Sequence, residues 1–153
     1  MEAVDQLIKH FQELTDRVSA FEQNKDRLIL DLVRDNEAMV IAMNVDDQLF
    51  QGITADNQET TPSYRPSTIQ RKKRKSQPYD RVTLRDEGDF HSSFFVRYGT
   101  DEFTIDAADY KKQWLDRKYT PKIYGLTPDN IDRLTAMIRD RFVEEAKRQI
   151  LGQ

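Results

Sequence analysis

Cysteine is missing from the 153 residues. That absence excludes a disulfide framework, a thiolate nucleophile and a thiolate metal site. Histidine is scarce as well, with His10 and His91 the whole supply. Neither sits in a pattern that suggests a Ser-His-Asp arrangement. Five glycines leave little material for a phosphate-cradling loop, and neither GxxxxGK(S/T) nor GxGxxG occurs. The EF-hand pattern is absent too. Carboxylates such as Asp86 and Asp89, next to His91, have a spacing too common to define a general acid-base pair or a hard-cation site. Neither an enzyme nor a bound cofactor or metal is expected. No apolar run approaches the roughly 18 residues that a membrane span needs. The opening residues, MEAVDQLIKHF, carry charges every few positions, unlike the core of a signal peptide. The expectation is a soluble protein made inside the cell.

What the chain has in abundance is charge. Charged residues make up 33% and hydrophobic residues 37%, with a net charge of -3. Such a composition fits a long exposed helix, or a subunit that hides surface in an assembly. The length fits a single domain, residues 1–153, with a core of its own. Because the whole chain is weakly acidic, affinity for nucleic acid must come from a local patch.

Taken in order, residues 2–34 read as helix. Val4, Leu7, Phe11, Leu14, Val18 and Phe21 alternate spacings of three and four, a heptad stripe that continues through Lys25, Leu28 and Leu32. Asn24 and Lys25 are a candidate break into two helices, but no proline or glycine occurs before Gly52, so nothing forbids a single long one. The stripe lies either on the domain's own sheet or on neighbouring subunits. Residues 37–44, EAMVIAMN, read as a buried strand because they are short, apolar and contain Val40-Ile41. A helical turn over 46–51 is stopped by Gly52, and 53–63 is loop or extended arm. Residues 94–98 and 102–105 form a hairpin around Gly99-Thr100-Asp101. Residues 106–118 read as a helix capped by an aspartate, with Tyr110, Trp114 and Leu115 facing the core. Thr127 caps the last helix, with Pro128 in its first turn. The fold class expected is α+β. A long N-terminal helix (or two) occupies 1–34, strands, basic loop and hairpin occupy 37–107, and a helical part over 108–151 ends in a helix packed on the small antiparallel sheet.

Arg71, Lys72, Lys73, Arg74 and Lys75 are the densest charge block, with Ser67 or Thr68 placed to cap a short helix carrying it. Such blocks are commonly solvated, mobile loops. Arg65 and Arg81 flank it, and Tyr64 and Tyr79 offer stacking surfaces. The block is a candidate contact either for DNA phosphates or for a neighbouring subunit. Leu84, Asp86, Gly88, Asp89 and Phe90 are a candidate structural turn, with Asp89 as the cap of a short helical turn.

Four pieces in order resemble the phage virion-morphogenesis and tail-completion proteins, small α+β proteins of the head-tail joint. They are Tyr64-Arg65-Pro66-Ser67-Thr68 with Lys72 and Lys75 behind it, the stretch Leu84-Arg85-Asp86-Glu87-Gly88-Asp89-Phe90-His91-Ser92-Ser93, the hairpin, and Tyr124-Gly125-Leu126-Thr127-Pro128-Asp129 before the final helix. The resemblance covers about residues 64–151. Glu87 stands where threonine is usual, Ser76 where glycine is common, and Ala108-Asp109-Tyr110 where the family has a tyrosine-alanine pair. The resemblance implies a non-enzymatic virion protein of the neck or tail, made in the cytoplasm of a host bacterium. Its implied partners are copies of itself in a ring, neighbouring neck, connector or tail-tube proteins and packaged DNA, with no membrane. A nucleic-acid-binding accessory protein using Arg71 to Lys75 is the rival expectation. An enzyme built on Asp86, Asp89 and His91 is a more distant one.

Overall fold

The computed structural model describes residues 1–152. Its longest element is α1, Glu2–Asp35, an unbroken helix of 34 residues, about 51 Å long at 1.5 Å per residue. Nothing interrupts it at Asn24 or Lys25, because Lys25 folds back onto Glu22 at 2.8 Å and Asn24 donates to the Ala20 carbonyl at 2.8 Å. A short irregularity at Asn36 separates it from α2, Glu37–Ala42. There the expected strand is corrected to helix. Val40, Met43 and Asn44 are buried at helical spacing while Met39 stays exposed, a pattern that strand alternation does not produce. The tertiary packing of that face overrides the β preference of Val40-Ile41.

The chain then widens into a π-helical turn, Met43–Gln48, and tightens into a 3-10 turn, Leu49–Gln51. Gly52 ends it in the left-handed region at φ 75°, where an added Cβ would meet the Arg81 Cβ at 3.1 Å. Residues 53–63 are not an extended arm. Ile53 bridges to Glu59, the Ala55 amide donates to the Lys122 carbonyl at 2.8 Å, and Asp56 pairs with Lys122 at 2.7 Å.

After α3, Pro66–Arg74, and the short α4, Asp89–Ser92, comes the hairpin of β1, Phe94–Tyr98, and β2, Phe103–Ala107. It is antiparallel, with Phe94 opposite Ala107, Val96 opposite Ile105 and Tyr98 opposite Phe103. Phe94, Val96, Ile105 and Ala107 point into the core, and Arg97 and Thr104 face out. The Tyr98 hydroxyl donates to Glu37 at 2.7 Å, and the Arg34 guanidinium lies 4.4 Å from its ring, so the hairpin is tied to the α1–α2 junction. Residues 106 and 107 belong to β2. The next helix, α5, is Lys112–Tyr119 and is shorter than expected. Asp109, not Asp106, accepts from the Lys111 amide at its start. Leu115 is half-buried, whereas Tyr110 and Trp114 are exposed, a correction to their expected place in the core.

The last helix, α6, is Pro128–Leu151, and Thr127 caps it by accepting from the Asn130 amide. It runs antiparallel along α1, with Phe142 against Phe21 at 5.7 Å and the Ile150 carbonyl accepting from Arg17 at 3.2 Å. Its main partner is therefore α1. Its first turn also approaches β2, where Ile131 shares a shallow cleft with Phe103 and Ile105.

A buried amide cluster joins these layers. Asn44 donates to the Ile123 carbonyl at 3.0 Å and accepts from the Gly125 amide at 2.9 Å. Gln48 donates to the Gly125 carbonyl at 2.9 Å and accepts from the Thr127 amide and the Asn130 side chain, each at 2.8 Å. Gln48→Leu orphans three of these buried groups, which together cost roughly 3–5 kcal/mol of unfolding free energy. Urea titration followed by circular dichroism measures this loss, and a change below about 1 kcal/mol would show the cluster to be dispensable.

Candidate functional site

The basic block is a helix, which corrects the expected loop. Pro66 sits at the first position of α3 with Arg65 as the N-cap residue, so neither Ser67 nor Thr68 caps it. Four cations fall in the last turn, where the negative end of the helix dipole favours them. Their fates differ. Lys72 is buried. Its Nζ donates to the Arg85 carbonyl at 2.7 Å, reaches Gln77 at 3.5 Å and lies 5.0 Å from the centre of the Tyr64 ring. It cannot touch DNA or a neighbour as expected. Lys75 pairs with Asp86 at 2.8 Å. Arg71, Lys73 and Arg74 face solvent, with Lys73 over the Tyr79 ring at 4.7 Å.

The turn over residues 84–90 is fastened to α3 from several sides. The Tyr64 hydroxyl accepts from the amides of Thr83 at 2.9 Å and Leu84 at 3.1 Å. Leu84 adopts φ 51°, a left-handed conformation that the two bonds help to hold. Gln77 donates to the Asp86 carbonyl at 2.8 Å. Gly88, at φ 99°, turns the chain into α4, and Asp89 is the first residue of that helix rather than its cap. Phe90 drops into the core edge-on to Phe94 at 5.2 Å, and also meets Tyr124. The Lys75 ammonium holds the Asp86 carboxyl below its usual range.

His91 is buried beneath this turn. Its Nε2 lies 2.8 Å from the Thr83 carbonyl, so Nε2 carries the proton in the neutral ring. Burial pushes its pKa down from 6.5. Asp86 is engaged with Lys75, Asp89 is exposed, and His91 is buried and committed to Thr83, so these three residues do not converge on one point. Among the described residues no group of three or more His, Asp and Glu side chains is placed to hold a metal ion.

Between α3, the turn and α5 lies a cleft of about 300 Å³, bordered by Arg71, Arg85, Lys111 and Lys118 and by Asp86, Glu87 and Asp89. It can receive a mainly anionic side chain or phosphate on its cationic side. Away from it, residues 2–16 of α1 extend beyond the α6 terminus at Arg17, about 22 Å of helix. Val4, Leu7, Ile8 and Phe11 are each about 60% exposed there, and Leu14 is half-buried. The sequence pattern showed this stripe but left open what covers it. The exposure of Tyr110 and Trp114 was missed, and only the acidic and basic residues interleaved with them signalled a wet face. Among the described residues no helix is long and apolar enough to cross a membrane. Comparison with protein-family models finds no match, nor does comparison with curated proteins or with solved structures.

His91 binds its proton more weakly in the fold than in the unfolded chain, so acid favours unfolding. The stability it protects is present above pH 6.5 and drains as the pH falls below it. Asp86 and Asp56, whose pKa values are lowered from 3.8, add a separate loss at stronger acid. Urea midpoints measured across this range will show the first slope, and His91→Gln will flatten it.

Proposed function

We propose that the chain is a structural subunit of a phage particle, a tail-completion protein of the head-tail joint or tail terminus that works as a ring and performs no catalysis. The observation that carries this reading is the uncovered half of α1. A contiguous row of large apolar side chains standing in water marks an interaction surface, and this row continues the stripe that packs the rest of the same helix. The four sequence pieces that resemble the family support it further. The first and second are joined through the Tyr64 hydroxyl, the third is the hairpin, and the fourth is the segment gripped by Asn44 and Gln48. In this reading the partners are copies of itself and the neighbouring neck, connector or tail-tube proteins. The subunit is made in the cytoplasm of a host bacterium and ends in the neck or tail of the virion.

Purified protein is expected to form a concentration-dependent closed oligomer by native mass spectrometry, and to retain connector or tail proteins in pull-downs. A strictly monomeric protein that retains neither would overturn the reading. Phe11→Glu with Leu7→Glu should abolish the oligomer and leave the thermal midpoint within a few degrees, because both side chains are exposed.

A second reading, a nucleic-acid-binding accessory protein, is favoured by Arg71, Lys73 and Arg74 facing solvent together on α3. If all three meet phosphates, replacing them with Gln lowers the slope of log affinity against log salt by about 3. Absence of DNA retention at low salt excludes this use.

A further inference from the structure

A second uncovered surface lies on α5 and its approach. Tyr110 is 69% exposed and Trp114 52%, and their rings meet edge to face at 5.7 Å. Lys111, Leu115 and Lys118 form the adjoining stripe of the same segment and line the cleft, with Arg71 and Arg85 across it. Lys111 Nζ stands 5.7 Å from the centre of the Tyr110 ring. Several nearby acids are already engaged. Asp86 is held by Lys75, Asp109 accepts from the Lys111 amide, and Asp116 is held by Lys112 and by the Tyr124 hydroxyl. Glu87 and Asp89 remain free on the far lip of the cleft. The surface is thus an aromatic ridge with a cationic border, the residue chemistry that protein interfaces use as anchors.

The uncovered part of α1 has the complementary character. Residues 2–16 present Val4, Leu7, Ile8 and Phe11 to solvent and carry four carboxylates, Glu2, Asp5, Glu13 and Asp16, against the single Lys9. We infer that this part of α1 docks on the Tyr110–Trp114 ridge of a second copy of the chain, with its carboxylates drawn toward Arg71, Lys111 and Lys118. The inference rests on the reading of the chain as a ring subunit and specifies the contact that builds the ring. A patch on one copy meets a different patch on the next, and such a head-to-tail contact builds a ring when its rotation closes. Pairing of α1 with α1 has less in its favour. It would set like charges together, it spans barely two heptads, and it would leave the aromatic ridge in water.

The absence of cysteine makes the test direct. Leu7→Cys and Trp114→Cys, each made alone and both at exposed positions, are mixed and oxidised, and the products are separated without reductant. The expected result is a cross-linked pair containing one of each variant, and a ladder of oligomers from the double variant. Lys111→Glu with Lys118→Glu should weaken assembly roughly tenfold. Leu7→Cys that cross-links to itself and not to Trp114→Cys would overturn the inference in favour of a symmetric contact. Oligomers that form without any cross-link would overturn the inference and leave the ring reading standing, whereas a protein monomeric at its highest soluble concentration would overturn the inference, and would end the ring reading too if it retained no connector or tail protein. Cross-linking that never appears, together with retention of a single-stranded oligonucleotide that the lysine variant loses, would assign the ridge to nucleic acid instead.

Discussion

The fold depends on two buried side-chain amides. Between the 3-10 turn that ends at Ile123 and the start of α6, the chain through Tyr124, Gly125 and Leu126 runs partly buried without regular structure, so several of its backbone groups have no ladder or helix to pair with. Buried peptide groups left in that state are costly. Asn44 and Gln48 each offer a donor and an acceptor, and both use them on this segment. They stand four residues apart on the π-helical turn, a form that recurs where a helix must serve something other than its own regularity. Through Asn130 the same cluster reaches the first turn of α6. The second helix, the crossing segment and the start of the last helix are thereby held in one register, and the apolar core closes around them.

A similar economy holds the basic helix. An isolated run of five cations repels itself, and a chain this small has little apolar surface with which to quiet it. The protein takes one cation inside and covers its charge with a carbonyl, an amide oxygen and an aromatic face. A second is neutralised by Asp86. What remains outside is a patch of three cations rather than five, fixed in direction by the helix that carries it. The price is that the turn after Thr83 must hold an unfavourable backbone angle, which the Tyr64 hydroxyl and Lys72 secure together.

Much of this architecture was legible in the residues. The heptad spacing declared α1, alternation declared the hairpin, and Thr127-Pro128 declared the start of α6, because each is a local signal that tertiary packing reinforces. Residues 37–44 misled because a short apolar run with β-branched residues satisfies strand and helix alike, and the decision came from Asn44 and Gln48, whose partners lie about eighty residues away. Tyr110 and Trp114 misled because aromatic residues are ordinarily inside, and their exposure follows from Asp109 delaying the helix start. The basic block was visible as charge, but which of its members were spent depended on Gln77, Arg85 and Asp86, none of which advertises that role in sequence.

One consequence of α1 concerns direction. A heptad stripe on a straight helix drifts only about 20° per repeat, so its covered and uncovered halves look nearly the same way. Phe21 faces Phe142, and Leu14 and Leu7, one and two heptads before it, therefore look toward the side on which α6 lies, while Phe11 and Val4 stand about 80° and about 100° round the helix from Phe21. With no glycine or proline in α1 to act as a hinge, the bearing between one copy and the next in the proposed ring follows from the pitch of a single helix.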